Sequence, residues 1–171
     1  MRRMKIAMYV VGGLIVLVLV IVVIGYSLPQ SHTATREVTL PASPDTVFAL
    51  IATPADYPRW RSGVDSVEIL PAEGGKERFR ELGKDGPLLM RVEERMAPSR
   101  LVTVIADSTL PFGGKWTYEL TPSGGGTTLR ITEDGEVYNP IFRFVSRFIM
   151  GHTATLDRYL ADVQRRLTGG Q

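Results

Sequence analysis

From Val64 to Tyr138 the chain alternates apolar and polar residues with period two, and it does so in six successive stretches. Leu88, Met90 and Val92 alternate with Leu89, Arg91 and Glu93, and Trp116, Tyr118 and Leu120 with Lys115, Thr117 and Glu119. Turn-forming residues interrupt the pattern at Glu73-Gly74-Gly75, Asp85-Gly86, Ala97-Pro98-Ser99, Pro111-Phe112-Gly113 and Ser123 to Gly126. Successive side chains of a strand point to opposite faces, so each stretch is a strand with one apolar face. Short turns between them predict an antiparallel meander. With an earlier strand over Thr35 to Leu40, the sheet has about seven strands, and one face must be covered.

The cover is predicted from the two ends of this region. Ser43 can cap a helix whose first position is Pro44, with Asp45 favouring its positive end. Val47, Phe48, Leu50 and Ile51 give that helix an apolar side, and Thr53-Pro54 begins a second short helix ending near Trp60. After Asn139-Pro140, another cap and first-turn proline, the periodicity becomes helical and continues to about Leu167. Ile141, Val145, Phe148, Ile149, Leu156, Tyr159, Leu160, Val163 and Leu167 fall on one stripe, with His152 inside it. The expectation is one long helix lying along the apolar face of the sheet.

Ile6 to Leu28 carries no charge. As a helix it spans roughly 34 Å, enough for a hydrocarbon core of about 30 Å. Arg2, Arg3 and Lys5 precede it, so the positive-inside rule places residues 1–5 in the cytoplasm and everything beyond the helix on the opposite side. The competing reading is a cleaved secretory signal, whose apolar region is shorter and ends in a small-residue site. Either way the domain is exported. The expected organisation is a basic flank over 1–5, a transmembrane helix over 6–28, a tether over 29–34 and a domain over 35–168.

Charge and composition exclude several functions. The formal net charge is +2, but three of the 20 basic residues lie in the flank, which leaves the domain with fewer basic than acidic residues. It lacks the basic footprint that nucleic acid requires. With no cysteine there is no disulfide framework or thiolate metal site. No nucleophile elbow, P-loop or dinucleotide fingerprint occurs in its proper context, so no cofactor or metal is expected.

The segments "SPDTVFALIATPADYPRW" and "GGKWTYELTPSGGGTTLRITEDGEV" resemble the first-helix region and the last hairpin of the START/polyketide cyclase superfamily, also called SRPBCC. The resemblance extends over about residues 34 to 167. It implies an α+β helix-grip fold, in which a curved antiparallel sheet wraps a long C-terminal helix and leaves an elongated cavity. The transmembrane anchor departs from the family's usual soluble form. On this reading the lining is Phe48, Leu88, Met90, Val92, Trp116, Tyr118, Leu129, Ile131, Phe148 and Leu156, an apolar wall of the kind small-molecule sites use.

Polar groups within that wall are the candidates for specificity. His152 is the sharpest, as a ligand contact or a weak catalytic candidate, against the simpler reading of a histidine satisfied by a neighbouring strand. Glu133 and Glu94 follow Ile131 and Val92 in inward parity and sit where a strand leaves the core, and a single bulge would reverse either one. Tyr57 and Trp60 close the second short helix, at the cavity entrance by resemblance or simply over the edge of the core. Arg143, Phe144 and Arg147 share a stretch of the last helix and form either a membrane-facing patch or a solvated face. The expected function is reversible binding of a hydrophobic small molecule or lipid at the membrane. The alternatives are a polyketide cyclase or dehydratase using His152, Tyr118 or Glu133, and an interaction module with a closed core.

Overall fold

The structure, a computed structural model, describes residues 2–84, 86–151 and 153–169. Helix α1 (Arg2–Ser27) leads into β1 (Ser31–Leu40), then α2 (Pro44–Ile51) and a 3-10 helix (Pro54–Arg59). The meander follows as β2 (Val64–Glu73), β3 (Lys76–Gly83), β4 (Leu88–Met96), β5 (Arg100–Ile105), β6 (Phe112–Ser123) and β7 (Gly126–Val137). The chain closes with α3 (Pro140–Val145), a π-helical turn (Ser146–Met150) and α4 (Ala154–Thr168).

All seven strands form one antiparallel sheet in the order β1-β7-β6-β5-β4-β3-β2. Six are joined by short turns, and only β1 crosses over to pair with the last strand. The caps form as the sequence predicts. Ser43 Oγ accepts from the backbone N–H of Thr46, and Asn139 Oδ1 accepts from Ile141 and Phe142. These bonds satisfy N–H groups that the first helical turn leaves without partners.

The core lies between the inner face of the sheet and α2, the 3-10 helix and α4. Leu40, Val47, Ile51, Leu129, Ile131, Leu156 and Val163 are fully buried. Asp162 ties α4 to the turn after the 3-10 helix. Its buried carboxylate accepts from Ser62 N at 2.7 Å and Ser62 Oγ at 2.8 Å and pairs with Arg165. The outer face carries a row of alternating charge, in which Glu37 meets Arg130 and Arg100 meets both Glu119 and Glu94.

Two boundaries differ from expectation. β1 begins at Ser31, so most of the presumed 29–34 tether is strand, paired residue by residue from Ser31↔Glu136 to Leu40↔Thr127. Backbone pairing at a sheet edge needs no apolar side chains, so a polar stretch can serve. The C-terminal helix is broken, and its first part leaves the sheet. Gly151 adopts φ 75° and ψ 157°, a conformation other residues avoid, and its N–H closes the π-turn on Ser146 O. α4 alone carries the buried stripe of Leu156, Tyr159, Leu160 and Val163.

Candidate functional site

Burial along the inner face changes from one end of the grip to the other. On β6 and β7, Leu120 and Leu129 lie near α2, Tyr118 and Ile131 in the middle, and all four are buried. Further along, toward Val137, Trp116 and Glu133 face each other in register and are only half-buried. β4 follows the same trend. Val92 is buried, whereas Met90 and Leu88, successively nearer the same end, are half-buried. The grip is therefore packed at its α2 end and open at the other, where α4 has not yet begun. α1 and α3 sit at this open end: Val137 N donates to Gln30 O at 2.8 Å, and Arg143 reaches Gly25 O at 3.4 Å.

Behind the opening lies an aromatic cluster. The Tyr159 ring is 5.4 Å from Trp60, 5.6 Å from Trp116 and 5.6 Å from Tyr118, and Tyr57 meets Trp60 and Phe79 edge-on. The Arg61 guanidinium lies over the Tyr57 ring at 4.8 Å and the Tyr159 ring at 5.0 Å, and pairs with Glu81. Burial favours loss of the Arg61 proton, but the Glu81 carboxylate together with the surrounding Tyr159, Tyr118 and Tyr57 outweighs it and holds Arg61 charged. Burial also pushes the Tyr118 hydroxyl up to about 12 and raises Tyr57 and Tyr159. These phenols are neutral donors at ordinary pH. Tyr57 Oη donates to Ile51 O at 2.6 Å. The Tyr118 hydroxyl neighbours those of Thr103 and Tyr159, yet Thr103 Oγ1, Tyr159 Oη and Trp60 Nε1 complete no good hydrogen bond among the described residues.

Glu133 is a titratable group at the opening. Burial raises its carboxyl above the usual range, against bonds from Thr155 and Trp116 that lower it. Thr155 Oγ1 donates to it at 3.4 Å, and His32 Nε2 lies 3.8 Å away.

The predicted residues thus separate by position. Phe48, Val92, Tyr118, Leu129, Ile131 and Leu156 are buried in the core. Leu88, Met90, Trp116 and Glu133 border the opening. Phe148 is 60% exposed on the π-turn and lines no part of the inner face, because the break at Gly151 turns the preceding stripe outward. His152 lies outside the described residues. Glu94, assigned inward by parity, is on the outer face. A bulge between Val92 and Glu94 shifts the register, so Glu94 faces Val102 and bonds to Arg100. Tyr57 and Trp60 are buried in the aromatic cluster.

Of the proposed membrane-facing trio, Arg143 is occupied by Val137 O at 2.7 Å, Tyr138 O at 2.9 Å and Gly25 O. Phe144 packs on Phe148 with ring centroids 4.9 Å apart, and Arg147 is exposed. Sequence reasoning missed Arg61 and Glu81. They are 20 residues apart and meet only through the pairing of β2 with β3, a contact no local pattern announces. Two hollows lie on the outer face, one of about 540 Å³ against Thr35, Glu37, Glu119, Arg130 and Thr132. Their walls are the paired charges of that face, which suit no apolar guest.

Solved structures share this architecture. A START superfamily protein from Mycobacterium smegmatis superposes with a TM-score of 0.65 at 18% identity, covering 82% of this chain and 99% of its own. A protein from Thermus thermophilus gives 0.67 at 20% identity, with coverage of 82% and 99%. Truncated norcoclaurine synthase from Thalictrum flavum gives 0.65 at 12% identity, with coverage of 82% and 96%. No curated protein matches the chain. The family described as "Polyketide cyclase / dehydrase and lipid transport" matches residues 31–167, from the first residue of β1 almost to the end of α4. The chain belongs to this polyketide cyclase/dehydrase and lipid transport family, and it shares its fold with a START superfamily protein.

Proposed function

We propose that the protein binds a hydrophobic small molecule or lipid at the open end of the grip, beside a membrane that α1 crosses. The observation that carries this is the half-buried apolar rim of Leu88, Met90 and Trp116 at the end of the sheet nearest α1. Apolar side chains left partly in water at a concave edge gain free energy when a guest covers them. The family's association with lipid transport supports the reading. α1 adds to it, since the most apolar 18-residue stretch within Lys5–Ser27 has a mean hydropathy of 3.1 and none of that stretch is buried against the domain. The basic residues at the start of α1 orient the N-terminus to the cytoplasm and the domain to the far side.

The test is uptake of a fluorescent fatty acid or polycyclic probe by delipidated protein, with native mass spectrometry of freshly purified protein. Saturable binding that Trp116→Ala weakens several-fold is the expected result. Absence of both probe uptake and a co-purifying ligand would sink the proposal. A second reading, a cyclase- or dehydratase-like enzyme, draws on Glu133, a carboxyl of raised proton affinity at the opening. Glu133→Gln separates the two: a binder keeps its affinity within a few-fold, and an enzyme loses turnover by orders of magnitude.

A further inference from the structure

α1 and α3 are in tight contact. Gly25 is buried, and a Cβ there would lie 2.0 Å from Pro140 O, so only glycine allows the approach. Gly25 is two residues from the end of α1. At 1.5 Å rise per residue it sits within about 3 Å of that end along the axis. If α1 crosses a bilayer, its end lies in the headgroup layer. The first turn of α3 is then at the same depth.

The side chains that this region shows to the outside are apolar. Ile141, Phe142, Phe148 and Ile149 are 42%, 50%, 60% and 72% exposed, and Tyr26 and Tyr138 are exposed beside them. A cluster of this size on a soluble surface is unusual and marks an interaction site. Aromatic and aliphatic residues with an exposed arginine, here Arg147, are what the membrane interface accommodates. The backbone is prepared for a poorly hydrated setting too. Arg143 supplies donors to three carbonyls, at the end of α1 and at the exit of β7, that would otherwise need water.

We infer that the 140–149 segment is a second membrane contact, in which Phe142, Phe148 and Ile149 insert into the interfacial layer of the bilayer that holds α1 and seat the open end of the grip on the lipid surface. This rests on the reading of α1 as a membrane span. It gives the break at Gly151 a purpose, since a continuous helix would carry Phe148 and Ile149 along the sheet instead of away from it. A guest could then pass between lipid and the Trp116 rim without crossing water.

The chain has no cysteine, so single cysteines can be introduced and spin-labelled without background. Val16→Cys, Ser123→Cys, Phe148→Cys and Ile149→Cys all alter exposed positions, and each full-length variant is reconstituted into vesicles of phosphatidylcholine with phosphatidylglycerol. Power saturation with oxygen, which partitions into lipid, and with a water-soluble nickel chelate reports the surroundings of each label. The expected result is an oxygen-to-nickel accessibility ratio at 148 and 149 several-fold above that at Ser123, the tip of the far hairpin, and closer to that at Val16. Labels at 148 and 149 that match Ser123 while Val16 remains in lipid overturn the inference and leave the anchor standing. A nickel-accessible Val16 overturns both. Labels at 148 and 149 shielded from both reagents, with dipolar broadening, show a second copy covering the patch and also overturn the inference.

Discussion

Replacing Glu81 by glutamine is the most informative test of the interior. The Arg61 and Glu81 side chains retain only 19% and 12% exposure, and Arg61 rests on two tyrosine rings. Removing one member of a buried ion pair leaves an uncompensated charge and costs about 3–5 kcal/mol. The two ring contacts, each worth on the order of 1 kcal/mol, remain and partly hold the cation. Glu81→Gln should therefore fall near the lower end, about 3 kcal/mol. With a urea m-value of about 1–3 kcal/mol/M for a domain of this size, the midpoint falls by roughly 1–3 M. Arg61→Met combined with Glu81→Leu removes both charges and sacrifices only the ring contacts. The double variant should thus be more stable than Glu81→Gln by about 1–2 kcal/mol. Trp60 and Trp116 belong to the same cluster and report unfolding by their fluorescence in detergent. A midpoint unchanged in Glu81→Gln, or a double variant no more stable than the single, would refute the claim that this pair is held as buried charge.

Leu156, fully buried at the start of α4, should cost about 3–5 kcal/mol when replaced by alanine, measured by the same titration. Gly25→Leu should separate α1 from α3, seen as faster hydrogen exchange over 140–149 with β6 and β7 unaffected. For Glu133 the sign follows from a carboxyl whose folded value is raised above its ordinary 4.5. The folded state binds the proton more tightly, so this group's contribution to stability is present at low pH and declines as pH rises through the window above 4.5. Glu133→Gln should accordingly stabilise at pH 7, and the gain should shrink as pH falls toward 4.5, read from urea midpoints across pH.

The fold could be read from the sequence where the signals were local. The period-two stretches, the turn residues between them, and the Ser43-Pro44 and Asn139-Pro140 caps specify strands and helix starts by steric and hydrogen-bonding rules acting within a few residues. Trp116, Tyr118, Leu129 and Ile131 follow inward parity for the same reason. What failed was registry across a longer span. Parity carries Glu94 inward only while the count from Val92 is unbroken, and one bulge moves it outside. Helical periodicity likewise continues through Gly151, because the stripe is apolar on both sides of it. Nothing in the spacing says that Phe148 serves a different surface from Leu156. Arg61 with Glu81, and Asp162 with Ser62, required the tertiary fold to bring distant residues together.

The join between α1 and β1 limits how such a protein can work. Only Leu28, Pro29 and Gln30 separate them, and the last is fixed by its bond to Val137. At about 3.5 Å per residue the gap spans roughly 10 Å. On the proposed reading, in which α1 spans a membrane and the grip carries an apolar guest, a domain on a leash this short cannot commute between that membrane and a distant acceptor. Whatever it exchanges cargo with must come to it, or lie in the same sheet of lipid, and any tilt of the helix swings the whole grip as a lever.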